Sequence, residues 1–166
     1  MDQELKDLIN SGIKGLTPYE PGKPIEDLER EYGIKNAIKL ASNESPLGPS
    51  PKVLEVLKEV ISGIHRYPDG NGSRLKEALS TRHSISADML TLGNGSNDII
   101  EFVARCFLTP NDNAVYSKHA FAVYPLVTQS LGAQGIEVEA KDWGHDLQAM
   151  LDAINDKTKV VFIANP

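Results

Sequence analysis

Met89-Leu90-Thr91-Leu92-Gly93-Asn94-Gly95-Ser96-Asn97-Asp98-Ile99 passes from a strand-like apolar run, through a glycine turn, into an apolar-periodic helix start. Two glycines let the backbone turn tightly and approach an anion. The opening turn of a helix adds unpaired N–H donors at the positive end of its dipole. The stretch reads as a strand–turn–helix unit with a phosphate cradle at its bend. Taken alone it leaves two readings open, because a βα turn wants glycine with or without a ligand.

Working outward, helical and strand patterns alternate from about residue 51, which predicts a parallel sheet with helices on its faces. Ser50 and Pro51 form a helix start, Val53, Leu54, Leu57, Val60 and Ile61 make one apolar stripe, and Gly63 ends it. A second helix is expected from Ser73 through Leu75, Ala78 and Leu79, and a third from Asp98 or Ile99 to about Leu108, stopped by Thr109-Pro110. Strands follow near Ala114-Ser117, Ile136-Ala140 and Val160-Ala164. Between them come a helix over Ala122-Leu131, closed by Gly132, and one capped by Asp146 that carries Leu147, Met150, Leu151 and Ile154. The predicted order is βαβαβαβ.

The first fifty residues differ in character. A short amphipathic helix (Leu5, Leu8, Ile9) is followed by the turn-rich Leu16-Thr17-Pro18-Tyr19-Glu20-Pro21-Gly22-Lys23-Pro24, and a short strand, Ile38-Ala41, precedes the proline-broken Ser42-Pro49. Residues 1–50 are therefore expected to form an arm and a piece of a second, smaller domain, with residues 51–166 belonging to the main α/β domain.

Composition narrows the function classes. A net charge of −6 and a pI near 5.2, with no run of Lys or Arg, argue against nucleic-acid binding. The charged Met1-Lys6 start is unlike a signal peptide, and no apolar run reaches the roughly 18 residues of a membrane span, so a cytoplasmic protein is expected. The single cysteine, Cys106, lies in an apolar segment and is expected to pack in the core. His65, His83, His119 and His145 are too scattered to suggest a metal site.

The phosphate at the cradle is not that of a dinucleotide: Asp98 occupies the third glycine position, and Ser117-Lys118-His119 offers no acid for a ribose hydroxyl. No Gly-Lys-Ser or Gly-Lys-Thr follows the loop, so the Walker pattern fails as well. One βα unit later, Lys118-His119-Ala120-Phe121-Ala122-Val123-Tyr124 brings an aromatic to the same carboxyl edge of the sheet. Phe121 there suits two roles equally, stacking on a planar ring or acting as a hydrophobic staple for the next helix. Tyr67, read on its own, is a half-buried loop aromatic.

Leu40-Ala41-Ser42-Asn43-Glu44-Ser45-Pro46-Leu47-Gly48, Arg66-Tyr67-Pro68-Asp69-Gly70, Leu92-Gly93-Asn94-Gly95-Ser96-Asn97-Asp98 and Val161-Phe162-Ile163-Ala164-Asn165-Pro166, in that order, resemble the N-terminal half of the histidinol-phosphate aminotransferase family. That family lies within the fold-type I aminotransferases, which depend on pyridoxal 5'-phosphate. The resemblance runs from Leu16-Thr17-Pro18-Tyr19 to Pro166. It implies the first part of a three-layer α/β large domain with a mostly parallel sheet, preceded by an arm and small-domain segment.

The resemblance also implies roles. Gly95, Ser96 and Asn97 would hold the cofactor phosphate, Phe121 would stack on the pyridine ring, and Tyr67 would reach the neighbouring subunit's cofactor phosphate in a homodimer. Tyr19 and Asn43 would approach the substrate, at its phosphate and amino-acid ends respectively. The implied reaction exchanges an amino group between histidinol phosphate and the glutamate/2-oxoglutarate pair in histidine biosynthesis. Aromatic aminotransferases, decarboxylases of phosphorylated amino acids and a non-catalytic phosphate-binding module are the alternatives. Family order places the Schiff-base lysine after Pro166, so none of the lysines here is assigned that role. It also separates the strand before Gly93 from the other three by later strands, and the 166-residue chain alone is expected to be inactive and poorly stable.

Overall fold

The structure, a computed structural model, describes residues 7–40 and 42–165 and falls into two compact units: residues 7–19 with 91–165, and residues 20–90. The Leu5 end of the expected N-terminal helix, Ala41 and Pro166 lie outside the described residues.

The unit spanning residues 20–90 contains three helices: α1 (Ile25–Tyr32), α2 (Pro51–Val60) and α3 (Ser73–His83). Each begins and ends for a local reason. Pro24 precedes α1, acidic Glu26 and Asp27 occupy its first turn, and Gly33 closes it in the left-handed region at φ 64°. Pro51 opens α2, whose stripe continues into a 3₁₀ turn over Ile61–Gly63. Ser50 precedes α2 as expected, yet its side chain caps nothing; its carbonyl accepts the Val53 and Leu54 N–H groups instead. Ser84, at φ 55°, ends α3. Ile38–Leu40 of the expected short strand form no ladder with any described residue, and none of the described residues 20–90 is buried.

The other unit is built on a three-stranded parallel sheet, order β2-β1-β3, from β1 (Asn113–Ser117), β2 (Gln134–Val138) and β3 (Thr158–Phe162). Period-two alternation sends β1 side chains to opposite faces. Ala114 and Tyr116 face a core made with Val160, Phe162 and two helices, α4 (Ser96–Phe107), through Ala104, and α5 (Val123–Ser130), through Tyr124 and Val127. Val115 faces Val138 and Met150 of α6 (Leu147–Asp152). The βα alternation expected over this part of the chain is present, with helices on both faces of a parallel sheet.

Several local expectations are corrected. β2 and β3 begin and end two residues earlier than their most apolar stretches, because pairing starts at polar Gln134 and Thr158, opposite Asn113. Met89–Leu92 is not a strand: Ala87–Met89 forms a 3₁₀ turn, and the extended residues after it have no hydrogen-bonded partner strand among those described. Cys106 is exposed, since α4 turns the Ile100, Ala104 and Leu108 row inward and Cys106 falls off that row. Gly135 is required by its neighbour: a Cβ there would lie 2.1 Å from the Tyr116 hydroxyl. No helix among the described residues is long and apolar enough to cross a membrane.

Candidate cofactor site

The loop before α4 is shaped by two glycines for different reasons. A Cβ on Gly93 would meet Asp98 Cβ at 2.7 Å, so the loop closes onto the helix only with glycine there. Gly95 has φ 78° and ψ −176°, a region essentially reserved for glycine, and a Cβ on it would meet nothing within 4 Å. Conformation dictates this glycine, and the space over it is open. The loop is tied by two bonds, Gly95 N–H to the Gly93 carbonyl at 2.9 Å and Asn94 N–H to Asp98 Oδ2 at 2.8 Å.

Asp98 therefore fastens the loop from inside the first turn of α4, where a carboxylate also suits the helix dipole. No side chain caps the helix. Its opening N–H groups, those of Ser96 and Asn97 first among them, are orphans of the kind that hold an anion, and both residues are exposed.

α4 and β1 are joined by only five residues, 108–112, so the helix runs back along the sheet and its start lies toward the sheet's carboxyl edge. Phe121 follows β1 at that edge. Its ring is partly exposed, at 36%, and meets Tyr124 edge to face at 5.9 Å between centroids; Tyr124 in turn stacks on Phe162 at 4.5 Å with 7° between planes. Phe121 is thus seated on an aromatic column anchored in the core, with ring surface left to solvent.

Lys118 stands at the same edge and donates to Glu139 Oε1 at 2.8 Å; that hydrogen bond, and then the carboxylate's charge, push its pKa above the usual lysine value. It is held as an ammonium, which suits pairing and not nucleophilic attack. His145, in the loop before α6, accepts the Ala164 N–H on Nε2 at 3.0 Å just beyond β3.

Tyr19, in the same unit as the loop, is exposed at 54%. Asn43 and Tyr67 lie in the other unit. Both are exposed, and Tyr67 is fully so rather than half-buried, because no element of its unit packs over residues 63–68. Beside Tyr67, Asp69 accepts the Asn71 N–H at 3.0 Å and the Ser73 N–H at 2.8 Å, fastening the tyrosine's loop to the start of α3. Neither this acid nor Asp98 stands out in the sequence as a loop fastener. An Asp four residues ahead of Ser73 is the available signal for the first; the second was visible only as the residue that broke the dinucleotide pattern.

Residues 35–166 match the family profile described as aminotransferase class I and II. The chain belongs to that family. Class I and II aminotransferases similar to it include histidinol-phosphate aminotransferase 2 of Pseudomonas fluorescens, 58% identical over 161 residues, covering 96% of this chain and 44% of that protein. Histidinol-phosphate aminotransferase 1 of Nitrosococcus oceani is 55% identical over 159 residues, covering 96% and 43%. Among solved structures, the histidinol-phosphate aminotransferase of Sinorhizobium meliloti in complex with pyridoxal-5'-phosphate superposes with a TM-score of 0.83 at 26% identity, over 96% of this chain and 42% of that one. The chain thus spans less than half the length of the relatives it matches. As a member of this family it has the α/β fold with a parallel sheet expected above.

Proposed function

We propose that this chain forms the cofactor-phosphate-binding part of a pyridoxal-phosphate-dependent aminotransferase that acts on histidinol phosphate with 2-oxoglutarate/glutamate in histidine biosynthesis. The observation that carries the reading is identity of 55% and 58%, along nearly the whole chain, to proteins named histidinol-phosphate aminotransferases. The residues present fit the cofactor: an uncapped helix start with open space over Gly95 suits a phosphate, and an aromatic with a solvent-facing ring suits a pyridine.

When bound, pyridoxal phosphate supplies an aldehyde that takes the amino group and a ring that accepts electrons. The residues of this chain bind and orient it. Ser96 and Asn97 hold the phosphate through backbone N–H groups and short side chains, with Gly95 leaving room for its approach. Phe121 fixes the ring's plane from one side, and Asp98 keeps the loop closed without spending the helix-start donors. Tyr67 serves the phosphate bound by a second copy in a homodimer, and Tyr19 and Asn43 meet the substrate. The reacting lysine amine is assigned to none of the lysines here, and Lys118 is committed to Glu139. The reaction belongs in the cytoplasm with small-molecule substrates.

Titrating pyridoxal phosphate by absorbance and fluorescence tests this. Binding is expected, and Gly95→Ala should weaken it about five- to 150-fold, since leaving or straining that conformation costs about 1–3 kcal/mol. Equal affinity in the Gly95→Ala variant would refute the assignment of the phosphate to this loop. Borohydride after cofactor addition should leave no specific adduct on residues 1–166; one lysine reduced selectively here would overturn the reading of the lysines.

A further inference from the structure

The β3 ladder ends at Phe162, and residues 163–165 run on beyond it in no regular element. Ala164 is half-buried and packs against the cluster containing Tyr124 and Phe162, so its N–H is drawn away from water. A backbone N–H in that position is costly without an acceptor. The one it has is a side chain nineteen residues earlier, His145 Nε2 at 3.0 Å.

The donor of that bond is settled, because an amide nitrogen can only donate. The imidazole must therefore present an unprotonated Nε2 and carry its proton on Nδ1. His145 itself is held from the next residue onward. Asp146 caps α6 by accepting the Ala149 N–H at 3.0 Å, and Met150 of the same helix is buried against Val115 and Val138. The chain of support runs from the core, through α6 and its cap, to the imidazole, and from there to the backbone immediately before Asn165.

We infer that His145 is a positioning residue that sets the course of the chain at the carboxyl end of β3, and with it the packing of Ala164 against the Tyr124–Phe162 pair on which the Phe121 ring rests. The functional half of this rests on the pyridoxal-phosphate reading above; the structural half does not. No other polar group among the described residues bonds the Ala164 N–H, so the course of this segment is held by a side chain and not by the sheet. Loss of the acceptor frees the segment while leaving both core clusters intact.

The test uses the full chain and two variants, His145→Leu, which keeps bulk and removes the acceptor, and His145→Gln, whose amide oxygen reaches about as far. Amide exchange at Ala164 is expected to quicken about tenfold in the Leu variant, against an unchanged Val115 N–H, and to return to within about twofold in the Gln variant. Pyridoxal phosphate affinity should follow the same order. Unchanged exchange at Ala164 in the Leu variant, or no rescue by Gln, overturns the inference. The ¹⁵N resonances of the unaltered imidazole decide independently of any variant's folding: an unprotonated Nε2 supports it, and a proton on Nε2 sinks it. If the unaltered protein takes up no cofactor, the functional reading falls, while exchange at Ala164 still decides the role of His145.

Discussion

β1 and α2 carry comparable apolar runs and meet opposite fates. In β1 all five residues are buried, with Ala114 and Val115 at 0% exposure, because helices cover both faces and strands flank both edges. In α2, Val53, Leu54, Leu57 and Val60 remain 45–51% exposed. Proline at the first position and a good apolar period suffice to make the helix, so its conformation is local. Its stability is not. Full burial of such a side chain contributes about 1.5–3 kcal/mol, and roughly half of that is unrealised at each of these positions. The contrast divides the residues proposed to bind cofactor and substrate too: the phosphate loop, Phe121 and Tyr19 stand on the cored unit, Asn43 and Tyr67 on the coreless one.

The largest expected consequence is in the behaviour of the 166-residue chain as a whole. With an apolar stripe open on α2 and the outer edges of β2 and β3 unpaired among the described residues, the chain by itself should associate and lack a single cooperative melt. Light scattering and calorimetry measure this; a monodisperse sample with one sharp transition would erase the distinction between the two units. Next in size are paired truncations. Met150→Ala, at a 2% exposed position, should cost about 2–5 kcal/mol, while Leu57→Ala should change stability by no more than about 0.5 kcal/mol. Equal acceleration of amide exchange within the two units would mean that α2 is supported as firmly as the sheet. Gly135→Ala is smaller again, about 1–3 kcal/mol, because the Tyr116 ring must move off the new methyl.

The same contrast explains what could be read from the sequence. Helices announced by Pro51, by the apolar-periodic run from Asp98 or Ile99 to the Thr109-Pro110 stop, and by Asp146 were legible, since their starts and ends are written within a few residues. The apolar cores of all three strands were legible as well. Their bounds were not, because Gln134 and Thr158 join the sheet through partners set by register and not by their own preference. Met89–Leu92 looks like a strand by composition, but a strand exists only with a neighbour. At the site, Gly95 and Ser96 stand out because glycine geometry is local. The bond from Ala164 to His145 leaves no trace in a one-dimensional pattern, and Cys106 was misplaced because its segment is apolar on more than one side.

The smallest effect separates the units by acid. Asp69 is held below the usual carboxylate range, first by the Ser73 N–H, then by the Asn71 N–H and the Ser73 hydroxyl. A depressed folded-state pKa favours the charged form, so the support it lends the start of α3 is complete above the unfolded value of about 4 and is lost as pH falls through the lower folded value. Asp112 is shifted the same way by the Thr109 hydroxyl and N–H, but it sits between α4 and β1 in the cored unit. Acidification should therefore speed amide exchange at Ser73 and spread through α3, whereas the change at Thr109 should stay confined to its turn while Val115 remains protected. Asp69→Asn should flatten the Ser73 profile, having no charge to lose. If acid instead releases Val115 together with Thr109, burial around β1 does not insulate the sheet from its connecting turn, and the difference between the two units is one of degree in exposure alone.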